Sequence, residues 1–173
     1  VYGHAGKSCL VIPSQDGKHN DFEGFGMVDA CAPFIEEGKL RLYCVDTIDA
    51  ETWSCTWKNA RDRIVLHEDW MQYLVQEVLP LMEKENKHQQ AMTMGCSMGA
   101  FHAANLFFRF PDLFDGLLAW FGDAGGWGMC LMAGAAGIPG NLAQGAFGAA
   151  ASTCLALSLR RSRYVCGRFP HFS

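Results

Sequence analysis

The chain has 173 residues, of which half are apolar and 18% are charged, and its net charge is -4. This length allows one domain with a sizeable core, and the acidic balance excludes the basic surface on which nucleic-acid binding depends. The eight cysteines form no C-x-x-C pair and mostly lie in apolar runs. They indicate reduced thiols in a cytoplasmic protein.

Short apolar runs alternate with helical patterns along the first 122 residues. Four strands and three helices are predicted, in the order β-α-β-α-β-α-β, at residues 8–12, 26–37, 40–46, 64–82, 90–97, 98–110 and 116–122. Strands that alternate with helices of this length pair in parallel through right-handed crossovers. The sequence therefore predicts an α/β fold whose mostly parallel sheet is covered by helices on both faces.

A G-x-S-x-G segment lies where the third predicted strand turns into a helix, and its serine is Ser97. Gly95 and Gly99 lack the Cβ atoms that would collide in so sharp a turn, which leaves a serine exposed at the apex. Ligands of such sheets bind at the carboxyl ends of the strands, where Ser97 falls. Ser97 is therefore the candidate nucleophile, and the alternative is a tight turn with an idle serine.

Several longer blocks carry a resemblance to a known family. The segments "YGHAGKSCLVIPSQ", "FEGFGMVDACAPFIEEGKLRLYCVD", "RIVLHEDWMQYLVQEVLPLM" and "MGCSMGAFHAANLFFRFPDLFDGLLA" occur in family order. Together they resemble the putative esterase family of the α/β-hydrolase superfamily, close to its esterase D-like and polyhydroxyalkanoate depolymerase-like branches. The resemblance covers residues 1–121. It implies a three-layer α/β-hydrolase core that hydrolyses a small-molecule carboxylic ester, or transfers its acyl group, with no metal and no diffusible cofactor.

The resemblance also implies roles for individual residues. Ser97 would be the nucleophile of a Ser-His-acid triad, and two backbone amides would bind the oxyanion. One amide is that of Met98, directly after the nucleophile at a helix N-terminus. The other is expected from the loop after the first strand, where Gln15 is the best candidate and Ser14 is its neighbour.

The acid and the base of the triad are harder to place, because both should follow Ser97 in the chain. Asp123 follows a strand and could reach the site, and His171 remains as the candidate base. His102 is expected to point from its helix into the core, away from the apex. The other carboxylates after Ser97, Asp112 and Asp115, are expected at the opposite end of the sheet.

Three further residues attract functional interpretations that a structural role explains more simply. Cys96 is expected to be a small buried residue rather than a redox centre. The acidic loop after the second strand does not have the spacing of a calcium-binding loop, so Asp49 is expected to be solvated. The position of that loop nevertheless places Asp49 or Trp53 at the rim of a pocket.

The composition changes abruptly at about residue 122. Gly and Ala make up 20 of the last 52 residues, and Asp123 is the only acid among them. The expected division is a core over residues 1–121, which begins part-way into its own fold, and an aberrant tail over residues 122–173. A reading-frame error or truncation is the favoured origin of the tail, which would leave an inactive fragment whose sheet ends at residue 122.

The tail could also be a membrane segment or a genuine, divergent ending of the fold. Residues 124–159 carry no charge, but their many glycines dilute the apolar core that a membrane span needs, so no membrane association is expected. A genuine divergent ending would instead bring Asp123 and His171 to Ser97. The sequence does not determine the oligomeric state or the ester that is bound.

Overall fold

The computed structural model describes residues 1–86, 90–122 and 128–134, and side chains within residues 1–86 and 90–120. Asp123, His171 and nearly all of the Gly/Ala-rich tail lie outside the described residues. No helix in the described part is both long and apolar enough to cross a bilayer.

Five strands and five helices follow one another along the chain. They are β1 (Lys7–Ile12), α1 (Asp21–Gly24), α2 (Met27–Glu36), β2 (Leu40–Cys44), α3 (Ala60–Tyr73), α4 (Leu79–Glu85), β3 (Ala91–Cys96), α5 (Met98–Arg109), β4 (Phe114–Gly122) and β5 (Gly128–Gly134). A 3₁₀ turn lies at Asp49–Glu51, and a π-helical turn at Leu74–Val78 joins α3 to α4.

The strands form one sheet in the order β2-β1-β3-β4-β5. The first four strands are parallel, and β5 pairs antiparallel with β4. From β1 the chain moves outward to β2, and it then returns to the other side of β1 as β3. Such a reversal opens a crevice between the carboxyl ends of the two central strands, here β1 and β3.

Alternate residues of β1 belong to two separate cores, which is why the sheet is covered on both faces. Leu10 and Ile12 lie in a cluster with residues of α3, α4 and α5, whereas Cys9 and Val11 lie in a cluster that includes Cys31 of α2. The structure therefore confirms the α/β arrangement predicted from the sequence, with helices on both sides of a mostly parallel sheet.

The long helical segment after β2 is predicted correctly but is interrupted near its middle. Asn59 caps its start by accepting a hydrogen bond from the Asp62 amide. Pro80 lies at the start of α4 and has no N–H to donate to the preceding turn. The Leu79 amide instead bonds to the Leu74 carbonyl, five residues back, and this widens one turn into a π-helix.

The structure corrects one prediction about the end of the sheet. The sheet does not stop at the strand predicted for residues 116–122, because β5 pairs with β4 along Gly116–Gly122. The glycine- and alanine-rich sequence after residue 122 has no alternating pattern of apolar and polar residues by which β5 could have been recognised. The edge of β4 is therefore covered.

Candidate active site

The turn between β3 and α5 holds its serine in an unusual backbone conformation, and we call residues 95–99 the elbow. Ser97 has φ 57° and ψ -121°. Among the other described non-glycine residues, only Asp16 also has a positive φ. Its amide donates to the carbonyl of Trp120 at 2.7 Å, which ties the turn to β4, and its side chain is exposed. A positive φ in a serine costs about 1–3 kcal/mol and persists only where its surroundings impose it.

The two glycines of the motif permit the close packing around Ser97. A Cβ atom at Gly95 would lie 2.2 Å from the Gly99 carbonyl oxygen, inside the elbow itself. A Cβ atom at Gly99 would lie 2.2 Å from the Pro13 carbonyl oxygen and 2.4 Å from that of Ile12. The close approach of Gly99 to these two carbonyls places the end of β1 directly against the first turn of α5.

The loop after β1 begins at this contact. The Gly17 amide bonds to the Ser14 carbonyl at 2.9 Å and closes a tight turn, with Asp16 at φ 58°. Gln15 lies within this turn, and its side-chain amide donates to Ser54 Oγ at 2.8 Å. Met98 is the first residue of α5, where an amide has no acceptor within the helix. The sequence-predicted Gln15 and Met98 thus lie on the two segments that meet at Gly99.

The loop after β2, residues 45–59, supports the loop after β1. The Thr47 amide and hydroxyl both donate to the Gly17 carbonyl, at 3.2 and 3.3 Å. Ser54 accepts from Gln15, and the Ser54 amide itself bonds to the Asp49 carbonyl at 2.8 Å. We call residues 45–59 the bridging loop, because it also contacts α5.

That second contact is a buried pair of polar side chains. His102 Nε2 and Asp49 Oδ1 are 2.9 Å apart, and the two side chains are 0% and 2% exposed. His102 therefore points into the core as predicted and is not available as a catalytic base. The prediction for Asp49 is wrong: the carboxylate is not solvated, because its partner on α5 holds it inside the protein.

Aromatic and imidazole rings surround this pair. His67 lies 5.2 Å from the His102 ring centroid and accepts a hydrogen bond from Trp53 Nε1 at 3.3 Å. Burial, followed by the electrostatic influence of the neighbouring His102, lowers the pKa of His67. A neutral His67 carries its proton on Nε2, which leaves Nδ1 free to accept from Trp53. Trp53 and Phe101 are in turn packed edge to face, with ring centroids 5.3 Å apart.

Another histidine and carboxylate pair lies at the same edge of the sheet. Asp46 follows β2 and accepts from the His19 amide at 2.8 Å and contacts His19 Nδ1 at 2.7 Å. These bonds, with Lys18 nearby, lower the pKa of Asp46. Both side chains are largely exposed, and within the described residues no histidine bonds to Ser97 Oγ. The bonds of His19 attach the loop after β1 to the start of the bridging loop and not to the elbow.

The remaining predicted residues divide between the two ends of the sheet. Asp115 forms an ion pair with Lys7 at the beginning of β1, which confirms its place at the end opposite Ser97. Cys96 is exposed beside Ser97, so the prediction of a buried position is wrong. No described group of three His, Cys, Asp or Glu side chains is arranged to hold a metal ion.

Comparison with known proteins agrees with this architecture. A family described as "Putative esterase" matches residues 1–121. Neither the curated proteins nor the solved structures include a match to the chain. The match spans β1 to β4, the elbow and the bridging loop, and it supports an esterase-like hydrolase function. The chain therefore belongs to the putative esterase family.

Proposed function

We propose that Ser97 is the nucleophile of a carboxylic-ester hydrolase and that the backbone amides of Met98 and Gln15 form its oxyanion hole. The observation that carries the proposal is the positive φ of an exposed serine between a strand and a helix, with a glycine two residues away on either side. The family match supports the same reaction class. Small-molecule esters are the substrates that this family suggests.

The proposed reaction begins when Ser97 Oγ attacks the ester carbonyl carbon and a base takes its proton. The carbonyl oxygen then becomes an oxyanion, which needs preorganised donors. Met98 supplies an amide at the positive end of α5, where the helix dipole favours negative charge. Gln15 supplies the second amide from a turn that Ser54 and Thr47 hold in place. The oxyanion then re-forms the carbonyl and expels the alcohol, which takes the proton held by the base and leaves an acyl-enzyme. Water attacks the acyl-enzyme, gives a proton to the base, and the second tetrahedral intermediate collapses to release the acid and return the proton to Ser97 Oγ.

The base and the acid that orients it would both come from the tail, residues 122–173. His171 and Asp123 remain the candidates, and both lie outside the described residues. In serine hydrolases that lack triad members, oxyanion binding still leaves catalysis of roughly 10³ over water. We expect p-nitrophenyl acetate hydrolysis at about that residual level, little changed in His171→Ala. Robust turnover that disappears in both Ser97→Ala and His171→Ala would instead make the tail a working part of the enzyme.

The direct test is covalent labelling of the full chain by a fluorophosphonate, located by peptide mass spectrometry. We expect a single adduct at Ser97 that forms slowly, because no described base activates the hydroxyl, and that is absent from Ser97→Ala. Cys96→Ala is the matched control, because it removes the exposed neighbouring thiol and should retain the adduct. A label at any other residue, or a label that persists in Ser97→Ala, would refute the assignment of the nucleophile.

A further inference from the structure

Two exposed aromatic rings lie beside the elbow and have no role in the chemistry proposed above. Phe101 is 40% exposed and Trp53 is 44% exposed, and they pack edge to face. Large apolar side chains that remain exposed together are informative, because burial would otherwise be favourable. Their position relative to Ser97 decides what they could contact.

Phe101 lies four residues after Ser97, and its amide bonds to the Ser97 carbonyl at 3.4 Å. Residues four apart lie on the same face of a helix, and helical side chains lean toward the N-terminus. Phe101 therefore lies in the first turn of α5, close to Ser97 along the helix. This places it at the carboxyl edge of the sheet, where ligands of α/β folds bind.

Trp53 reaches the same place from the bridging loop. Its neighbour Ser54 accepts from Gln15, so Trp53 lies between the candidate oxyanion loop and α5. Three contacts fix its ring: the hydrogen bond to His67 Nδ1, an edge contact with the His67 ring at 5.4 Å, and the contact with Phe101. A ring held in this way is preorganised, which lowers the entropy that binding costs.

We propose that Trp53 and Phe101 form an aromatic wall that binds a flat, aromatic group of the ester. The inference rests on the proposed function, since it takes Ser97 as the point of attack. Aromatic rings pair edge to face or in offset stacks, and such pairs contribute affinity beyond that of simple apolar burial. The ring of the substrate could belong to its acyl side or to its alcohol side, and both share this chemistry.

The wall can be tested by binding, without any reaction. Benzamide carries its ring on the acyl side, acetanilide carries it on the leaving-group side, and acetamide has no ring. We expect saturation-transfer NMR on the full chain to detect one or both aromatic amides and not acetamide. The affinity should fall by about 2- to 12-fold in Trp53→Ala and in Phe101→Ala, the range expected for loss of one aromatic pair.

Matched controls come from the same two elements. Trp57 lies on the bridging loop and is 75% exposed, and Phe108 lies two turns further along α5 and is 63% exposed. Trp57→Ala and Phe108→Ala should bind the aromatic amides like the unaltered chain. Trp53→Leu keeps an apolar side chain without a ring, so its loss of affinity would report the ring rather than altered folding.

The outcomes separate the wall from the nucleophile. Equal binding of acetamide and the aromatic amides, or unchanged affinity in Trp53→Ala, Trp53→Leu and Phe101→Ala, would overturn the wall even if Ser97 were labelled. Ring-dependent binding that both variants weaken, in a chain that fluorophosphonate does not label, would uphold the wall and refute the nucleophile. Benzamide and acetanilide together identify the side of the ester that carries the ring.

Discussion

The two segments that meet at the candidate site reach it in different ways. β3 passes into α5 through Ser97 alone, and the geometry of that turn is set by Gly95 and Gly99 within the same short segment. β1 instead continues into a loop over residues 13–20, which the bridging loop holds in place. The elbow is thus held directly by the strands on either side of it, β1 and β4, whereas the loop after β1 depends on another loop for its support.

This difference identifies where the site is vulnerable. A substitution in the elbow acts directly on Ser97, the proposed nucleophile. The loop after β1 depends on a series of contacts, in which His102 binds Asp49, the Asp49 carbonyl binds the Ser54 amide, and Ser54 Oγ binds Gln15. Changes far from Ser97 should therefore affect the loop after β1 while leaving the elbow intact.

The largest effect is expected where the bridging loop is fixed to α5. Asp49→Ala or His102→Ala leaves one partner of a fully buried pair without a hydrogen bond, which should lower the free energy of unfolding by about 3 kcal/mol. Urea denaturation of the full chain measures this loss. Labelling of Ser97 should slow at the same time.

The same turn offers a control for that experiment. Glu51 is two residues from Asp49 and pairs with Lys58 at 3.2 Å, but its side chain is 64% exposed. Glu51→Ala should lower the free energy of unfolding by about 1 kcal/mol at most, because solvent screens exposed ion pairs. Equal losses in Asp49→Ala and Glu51→Ala would contradict the distinction between an anchoring pair and a surface pair.

The next largest effect is expected inside the elbow. Gly99→Ala places a methyl group against the backbone carbonyls of Ile12 and Pro13, and overpacking of this kind costs about 1–3 kcal/mol. Thermal unfolding measures the loss, and the labelling of Ser97 should also fall. Gly24→Ala is the matched control, since a Cβ atom there would meet nothing within 4 Å. Equal stability of the two variants would refute the close approach of β1 to α5.

A smaller effect is expected at the hydrogen bond between the two loops. Ser54→Ala removes the oxygen that accepts a hydrogen bond from the Gln15 side chain at an exposed position. Such a hydrogen bond contributes about 0.5–1.5 kcal/mol to stability. The rate of Ser97 labelling should fall by up to about tenfold, while the free energy of unfolding falls by no more than the contribution of that hydrogen bond. Ser54→Thr keeps the hydroxyl and should label normally. A normal rate in Ser54→Ala would separate Gln15 from oxyanion binding.

The smallest effect concerns pH. Burial lowers the pKa of His67 in the folded chain, so the unfolded chain binds more protons near its ordinary pKa of about 6.5. The stability due to neutral His67 is present above that value and is lost as pH falls through the folded pKa. Unfolding measured from pH 7.5 to 5.5 should therefore show declining stability, with a weaker decline in His67→Gln. His4→Gln is the control at an exposed site, and identical slopes in all three chains would contradict the prediction.

Much of the architecture could be predicted from local pattern. The helical periodicity of residues 64–82 and the glycines around Ser97 act within a few residues, so the sequence predicts one long helical segment and a tight turn at Ser97 directly. The partnership of Asp49 with His102 could not be identified, because 53 residues separate them and each residue type is common at the surface. Likewise, apolar and polar side chains do not alternate along β5, and backbone hydrogen bonds pair this strand with β4.

The core on the α2 face of the sheet is rich in sulfur-containing side chains, and this affects how oxidative damage accumulates in the protein. Cys9 and Cys31 pack there with Met92 and Met94, and burial raises the pKa of Cys31 to about 11. Since the thiolate is the reactive form, these buried thiols resist oxidants while the sheet stays closed. Each transient opening exposes them, and a sulfinic or sulfonic product could not be packed again. Oxidative damage on this face should therefore accumulate at the rate of opening, whereas Cys96 is exposed and should be accessible to oxidants without any opening, although burial also raises the pKa of its thiol.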